Sequence, residues 1–175
     1  MKIDGKKIEL ECLTFRINEL VIPKKFLASG EFQLETENVL SPTTNKSLEG
    51  LYMSEDIFVT QCEPEGFRKI CYSLDRPDVL STYTTRIHGS YAHLLSNGNP
   101  VTISKNYTKW HDPFPKPSYL FALVAGNLIF DEGVFTTSSG KVVTIKIFHK
   151  KEHIGKTKHA LNCIKKAMAW DEITY

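Results

Sequence analysis

The stretch TQCEPEGFRKICYSLDRPD, from Thr60 to Asp78, carries four carboxylates (Glu63, Glu65, Asp75 and Asp78), a Pro-Glu-Gly turn and the thiol of Cys62. Pro64 biases Glu63 towards extended backbone. In an extended segment, side chains two residues apart point the same way, so Gln61 and Glu63 share a face. A carboxylate beside an amide oxygen forms an acceptor pair for a small cation. An α-ammonium group, with three donors and one positive charge, suits such a pair. The other reading is that Glu63 and Glu65 solvate a turn while Asp75 pairs with Arg76 or Arg68. On residue types alone the solvated turn is the simpler of the two.

A second constellation is HKKEH, His149 to His153. It matches H-x-x-E-H, an inverted zinc-peptidase pattern that needs both imidazoles on one helical face with the glutamate as general base. Here the context is wrong. His149 ends the strand-like run VVTIKIF and Gly155 follows His153 closely, so the expectation is a basic solvated loop. H-E-x-x-H, G-x-S-x-G, G-x-x-x-x-G-K-[ST] and G-x-G-x-x-G are all absent. His88, His93, His111 and His159 are scattered and read as surface or packed histidines. Trp110, Tyr119 and Phe121 read as core. The cysteines, Cys12, Cys62, Cys71 and Cys163, have no C-x-x-C spacing, so reduced and mostly buried thiols are expected. Glu63 beside Cys62 would raise that thiol's pKa, which makes it a poor nucleophile.

At 175 residues with a net charge of +2, the chain fits one domain and offers no electrostatic case for nucleic acid or a membrane surface. The longest apolar run, Tyr119 to Gly126, is far short of the roughly 20 residues of a transmembrane helix. MKIDGKKIEL has no apolar segment of the kind an export signal needs, so the sequons at Asn45 and Asn106 read as chance and the expected location is cytoplasmic.

The elements that must position these groups are mostly strands. Ile8, Leu10 and Cys12 alternate with charged residues, and the phase then slips to Leu13, Phe15 and Ile17, which suggests a bulge. Phe32 and Leu34 alternate, as do Tyr83, Thr85 and Ile87. Asn97-Gly98 is turn chemistry. YLFALVAG reads as a strand buried on both faces, and DPFPKP before it as a stiff connection barred from helix and central strand. Gly133 to Phe148 reads as a hairpin turning at Ser138-Ser139-Gly140, with Val143, Ile145 and Ile147 inward. From Lys156 onward the period becomes helical. Leu161, Ile164 and Met168 form a stripe flanked by Ala160, Ala167 and Trp170, with Lys158, Lys165 and Lys166 opposite.

The segments GLY at Gly50, TQCEPEGFR at Thr60, LDRPDV at Leu74, LLSNGN at Leu94, WHDPFPKPSYLFALVAG at Trp110, FTTSSG at Phe135 and AMAWDE at Ala167 occur in this order. Together they closely resemble the N-terminal domain of bacterial-type aminopeptidase N, the zinc-dependent alanyl aminopeptidase family. The resemblance is specific from about Ser41 to Glu172. It implies an all-β antiparallel sandwich over residues 1–155 that lacks its first strands, then a helix over 156–175 leading into a catalytic domain. In that family the glutamine and first glutamate of Q-C-E-x-E-G-F hold the substrate's free α-amino group. Carried over, these are Gln61 and Glu63, which would make the domain one wall of an exopeptidase cavity. The resemblance implies no catalytic residue, metal ligand or cofactor in this chain, since the family's zinc motif lies downstream. The expected partners are a peptide N-terminus and the catalytic domain, with neither nucleic acid nor membrane. The competing expectation is a stand-alone β-sandwich that binds peptides or proteins without catalysis.

Overall fold

Tyr83, Thr85 and Ile87 turn inward from a strand whose intervening residues, Thr82, Thr84 and Arg86, stay exposed. A computed structural model describes residues 1–17, 19–27 and 30–175. Its strands are β1 Lys2–Ile3, β2 Lys6–Lys7, β3 Thr14–Phe15, β4 Leu20–Val21, β5 Leu34–Glu35, β6 Gly50–Ser54 and β7 Ile57–Gln61. They continue as β8 Ser81–His88, β9 His93–Ser96, β10 Asn99–Ser104, β11 Tyr107–Lys116, β12 Leu123–Gly126, β13 Ile129–Thr136 and β14 Val142–His149, followed by helix α1, Lys158–Thr174. All the strand pairs are antiparallel.

The sandwich core forms where one sheet, β10-β11-β8, faces another, β6-β7-β12-β9. Ile87 comes from the first sheet, Leu94 and Ala125 from the second, and Phe58, Tyr91, Trp110 and Leu123 pack around them. Polar groups also cross the gap. The Thr108 hydroxyl and the Trp110 indole N–H both donate to the Leu94 carbonyl at 2.9 Å, which satisfies groups that burial would otherwise leave unpaired. The turn at Asn97-Gly98 carries the chain from β9 in one sheet to β10 in the other. A smaller core of Ile3, Ile8 and Leu13 lies under the short N-terminal strands.

The hairpin β13–β14 follows the expected register, with Val143, Ile145 and Ile147 inward and Thr144 and Lys146 out. Its turn closes through Thr137 and Lys141, and Gly140 sits at φ +82°. α1 lies on this hairpin. Leu161 packs so closely over Gly133 that a Cβ there would fall 2.7 Å from Leu161 Cδ1. At the far end of the helix the Ser138 amide donates to Glu172 at 3.0 Å. The helical stripe is rotated from expectation: Leu161, Lys165, Met168 and Ala169 are half-buried, while Trp170 is 57% exposed.

Several strand expectations need correction, among them the alternation through Phe32 and Leu34, where only Leu34–Glu35 is strand and both apolar side chains are exposed. Leu10–Cys12 is a 3-10 turn, so Leu10 and Cys12 are exposed while Ile8 and Leu13 are buried. Past Leu13 only Thr14–Phe15 is strand, and Ile17 is 99% exposed. YLFALVAG splits into a 3-10 turn at Ser118–Leu120 and a shorter strand, β12; Leu120 is exposed, so the run is not buried on both faces. DPFPKP, expected outside any central strand, lies in β11, the middle strand of its sheet, except for Pro117. The prolines are tolerated because β10 pairs only as far as His111 and the register with β8 breaks between Asp112 and Lys116.

Candidate functional site

The edge formed by Gln61 and Glu63 is built from the end of β7. Strand pairing with β6 runs to Gln61, opposite Gly50, and the Thr60 hydroxyl accepts the Leu123 amide at 2.9 Å, tying the strand end to β12. The next three residues alternate: Gln61 is exposed, Cys62 buried and Glu63 exposed. Gln61 and Glu63 therefore flank one inward side chain, as extended geometry requires. The Gln61 amide nitrogen donates to the Glu63 carbonyl at 3.1 Å, which leaves Gln61 Oε1 as the outward acceptor. The Glu63–Pro64 peptide is cis. Glu63 takes part in no ion pair among the described residues; Arg68 is shared between Glu65 at 3.4 Å and Asp75 at 3.2 Å, and Arg76 binds Asp78.

The loop then folds back on itself. The Gly66 amide donates to the Cys62 carbonyl at 2.7 Å, and this close approach leaves no room for a side chain. A Cβ at Gly66 would lie 2.4 Å from the Gln61 oxygen and 2.8 Å from Cys62 Cα. The 3-10 turn Phe67–Lys69 follows, held by the buried Asp75. One Asp75 oxygen accepts the Arg68 amide at 2.9 Å and its Nε at 3.2 Å, and the other accepts the Ser118 hydroxyl. Burial raises the Asp75 pKa, but the Ser118 hydroxyl and the Arg68 amide and guanidinium outweigh it, so the carboxyl is held below its ordinary value. Of the two partners considered for Asp75 in the sequence, the structure selects Arg68. Ser118 was missed; it lies 43 residues away, and no local pattern points to it.

Behind the loop, Phe67, Tyr83 and Phe121 make an aromatic cluster with ring centroids 5.1 to 6.1 Å apart. This agrees with Phe121 as core. The Cys62 thiol is raised to about 11, chiefly by burial and then by the Asp75 charge. A poor nucleophile was expected there, but the cause is burial, not Glu63. The expectation of mostly buried thiols fails more broadly: Cys62 is buried, Cys71 half-buried, and Cys12 and Cys163 exposed, all four free.

The second constellation does not assemble. His149 ends β14, and only Lys151–His153 forms a short 3-10 turn, so the two histidines do not stand one α-helical turn apart. His149 uses Nδ1 on the Lys150 carbonyl at 2.8 Å and Nε2 on Asp131 at 3.2 Å, and Asp131 also accepts the Thr157 hydroxyl. Among the described residues no three His, Cys, Asp or Glu side chains stand together as a metal site, so these residues do not fit a catalytic zinc. His93 packs between Phe130 and Phe148, where burial and then the Lys146 charge lower its pKa. No helix among the described residues is long and apolar enough to cross a membrane.

Residues 2–120 match the sequence pattern of the peptidase M1 N-terminal domain. The chain is 50% identical over 152 residues to aminopeptidase N of Caulobacter vibrioides, covering 83% of this chain and 18% of that protein. It is 46% identical over 149 residues to aminopeptidase N of Escherichia coli, covering 81% and 17% respectively. Its fold superposes on Legionella pneumophila aminopeptidase A, whose crystal structure is in complex with aspartic acid, with a TM-score of 0.84 and 32% identity, across 99% of this chain and 21% of that one. An M1 zinc metallopeptidase of Deinococcus radiodurans shares the fold at a TM-score of 0.56 and 14% identity, across 86% of this chain and 37% of its own. The chain thus spans 17–18% of the length of these curated relatives.

Proposed function

The chain belongs to the peptidase M1 N-terminal domain family, and on that premise we propose that it walls the substrate cavity of a zinc aminopeptidase and anchors the substrate's α-ammonium through Glu63 and Gln61. One observation carries the reading: two exposed acceptors, the Glu63 carboxylate and Gln61 Oε1, flank the buried Cys62 with no competing cation on Glu63 among the described residues.

Magnitudes say why the anchor needs a covering partner. An exposed ion pair in water contributes about 0–1 kcal/mol, and 1 kcal/mol corresponds to a dissociation constant of roughly 0.2 M. Covered by protein, the same pair at 4 Å gains about 4 kcal/mol at an effective dielectric of 20. The anchor therefore works where a second protein surface closes over it, which disfavours a stand-alone binding module. A terminal ammonium gains from this carboxylate; an internal peptide amide carries no charge and gains nothing. The preference for a chain end follows from that difference. Zinc and the groups that act on the scissile bond would be supplied by residues outside this chain.

The test is a chimera in which this chain replaces the matching part of the Caulobacter vibrioides relative. Glu63→Ala should lower kcat/KM for alanyl-p-nitroanilide by about 100-fold, the loss seen when one partner of a covered charge pair is removed. An undiminished kcat/KM overturns the reading.

A further inference from the structure

Resting on the reading of Glu63 as the ammonium anchor, we propose that Asp75 is a positioning residue, which with Arg68 and Ser118 fixes the Gln61–Glu63 edge. The loop that carries the edge is held at both ends. At its start, β7 pairs with β6 and the Thr60 hydroxyl holds the Leu123 amide. At its other end, among the described residues, the loop has no strand partner, and Asp75 takes that place. Its side chain accepts the Arg68 amide and Nε, and its own carbonyl accepts Arg68 Nη2 at 2.9 Å. The same guanidinium lies 3.4 Å from Glu65, two residues beyond Glu63. On the opposite side the Ser118 hydroxyl, at the start of the 3-10 turn before β12, donates to the second Asp75 oxygen.

Asp75 thus joins three segments: the site loop, its own loop seven residues on, and, 43 residues away, the turn that leads into β12, which pairs with β7. Its carboxylate is 3% exposed whereas the Arg68 side chain is 34% exposed, so the acidic partner is the fixed point and the guanidinium the adjustable arm. Between the two anchorages the backbone has little slack. The Gly66 amide is bonded to the Cys62 carbonyl at 2.7 Å, so movement of Arg68 passes directly to the residue between Gln61 and Glu63. A terminal ammonium must meet both acceptors at hydrogen-bonding distance, and misplacement of a positioning group by about 1 Å costs on the order of 100-fold in rate.

The experiment is a double-mutant cycle in the same chimera, with kcat/KM for alanyl-p-nitroanilide normalised to correctly folded, zinc-loaded enzyme. Asp75→Asn should lower kcat/KM about 10-fold when Glu63 is present and less than about 2-fold in a Glu63→Gln background, the non-additivity of residues acting through one another. Ser118→Ala removes one hydrogen bond and keeps the charge, so it should show the same pattern at roughly 3-fold; it covers the case in which Asp75→Asn fails to fold. Equal losses in both backgrounds, for whichever variant folds, mean that Asp75 acts independently of Glu63, and the proposal falls. If Glu63→Gln itself leaves kcat/KM unchanged, the anchor reading fails and this inference goes with it.

Discussion

Gly66→Ala tests the loop geometry without changing a charge or a hydrogen-bonding group. Gly66 has φ −83° and ψ −17°, a conformation open to any residue, so the substitution carries no dihedral penalty. What it meets is backbone: the new Cβ falls 2.4 Å from the Gln61 oxygen and 2.8 Å from Cys62 Cα. Neither atom belongs to a flexible side chain, so the loop must open by the better part of an ångström. Overpacking of this kind costs about 1–3 kcal/mol. The 2.7 Å bond from the Gly66 amide to the Cys62 carbonyl would also stretch, at a further cost of about 1 kcal/mol. Alanine's smaller unfolded-state entropy returns about 0.4–1 kcal/mol. The net is destabilisation of roughly 2–3 kcal/mol, or a urea midpoint lowered by about 1–1.5 M at a slope near 2 kcal/mol/M. Gly140→Ala is the control. Nothing lies within 4 Å of its Cβ position, but φ is +82°, so only the left-handed strain remains. With the entropy offset, its cost is about 1 kcal/mol. Equilibrium urea unfolding followed by the fluorescence of the half-buried Trp110 reads both variants. A Gly66→Ala protein as stable as the parent, or one less perturbed than Gly140→Ala, refutes the close-approach argument.

Further consequences concern charge, thiols and the core. Asp75 is held below its ordinary pKa, so it contributes stability above the normal aspartate value of about 3.9 that is lost as pH falls through the depressed folded value. Asp75→Asn should flatten that acid limb of the stability curve, and a limb identical to the parent's would contradict the assignment. The Cys62 thiol, raised to about 11, should resist iodoacetamide at pH 8 in the folded chain while Cys12 and Cys163 react, with peptide mapping as the readout. Rapid native labelling of Cys62 would count against its burial. Leu94→Ala removes the buried side chain between the two sheets and should cost about 2–5 kcal/mol in the same urea assay; a loss under about 1 kcal/mol would place the core elsewhere.

Much of the sandwich was legible because its strands have one wet and one dry face. Tyr83, Thr85 and Ile87, and again Val143, Ile145 and Ile147, show the two-residue period directly. That signal fails where tertiary packing replaces it. Leu10 and Cys12 alternate in sequence, yet the chain turns into a 3-10 segment there, and Ile8 and Leu13 fill the small core instead. The prolines of DPFPKP argued against a central strand, but the neighbouring strand stops short of them, and pairing extent is not written in local sequence. At the candidate site, the shared outward face of Gln61 and Glu63 was readable from the extended bias before Pro64, their proposed role came only with the family resemblance, and the support under them was not readable. Ser118 reaches Asp75 only because the fold brings the 3-10 turn before β12 to the loop after β7.

The most direct test compares two hydroxamate inhibitors of the chimera, one made from alanine and one from propionic acid, which differ only in the α-ammonium group. With Glu63 present, the amine-bearing compound should bind about 100-fold more tightly, and Glu63→Gln should collapse most of that preference while leaving the affinity for the propionyl compound unchanged. A preference that survives Glu63→Gln intact would place the recognition of the peptide's charged end on some other residue.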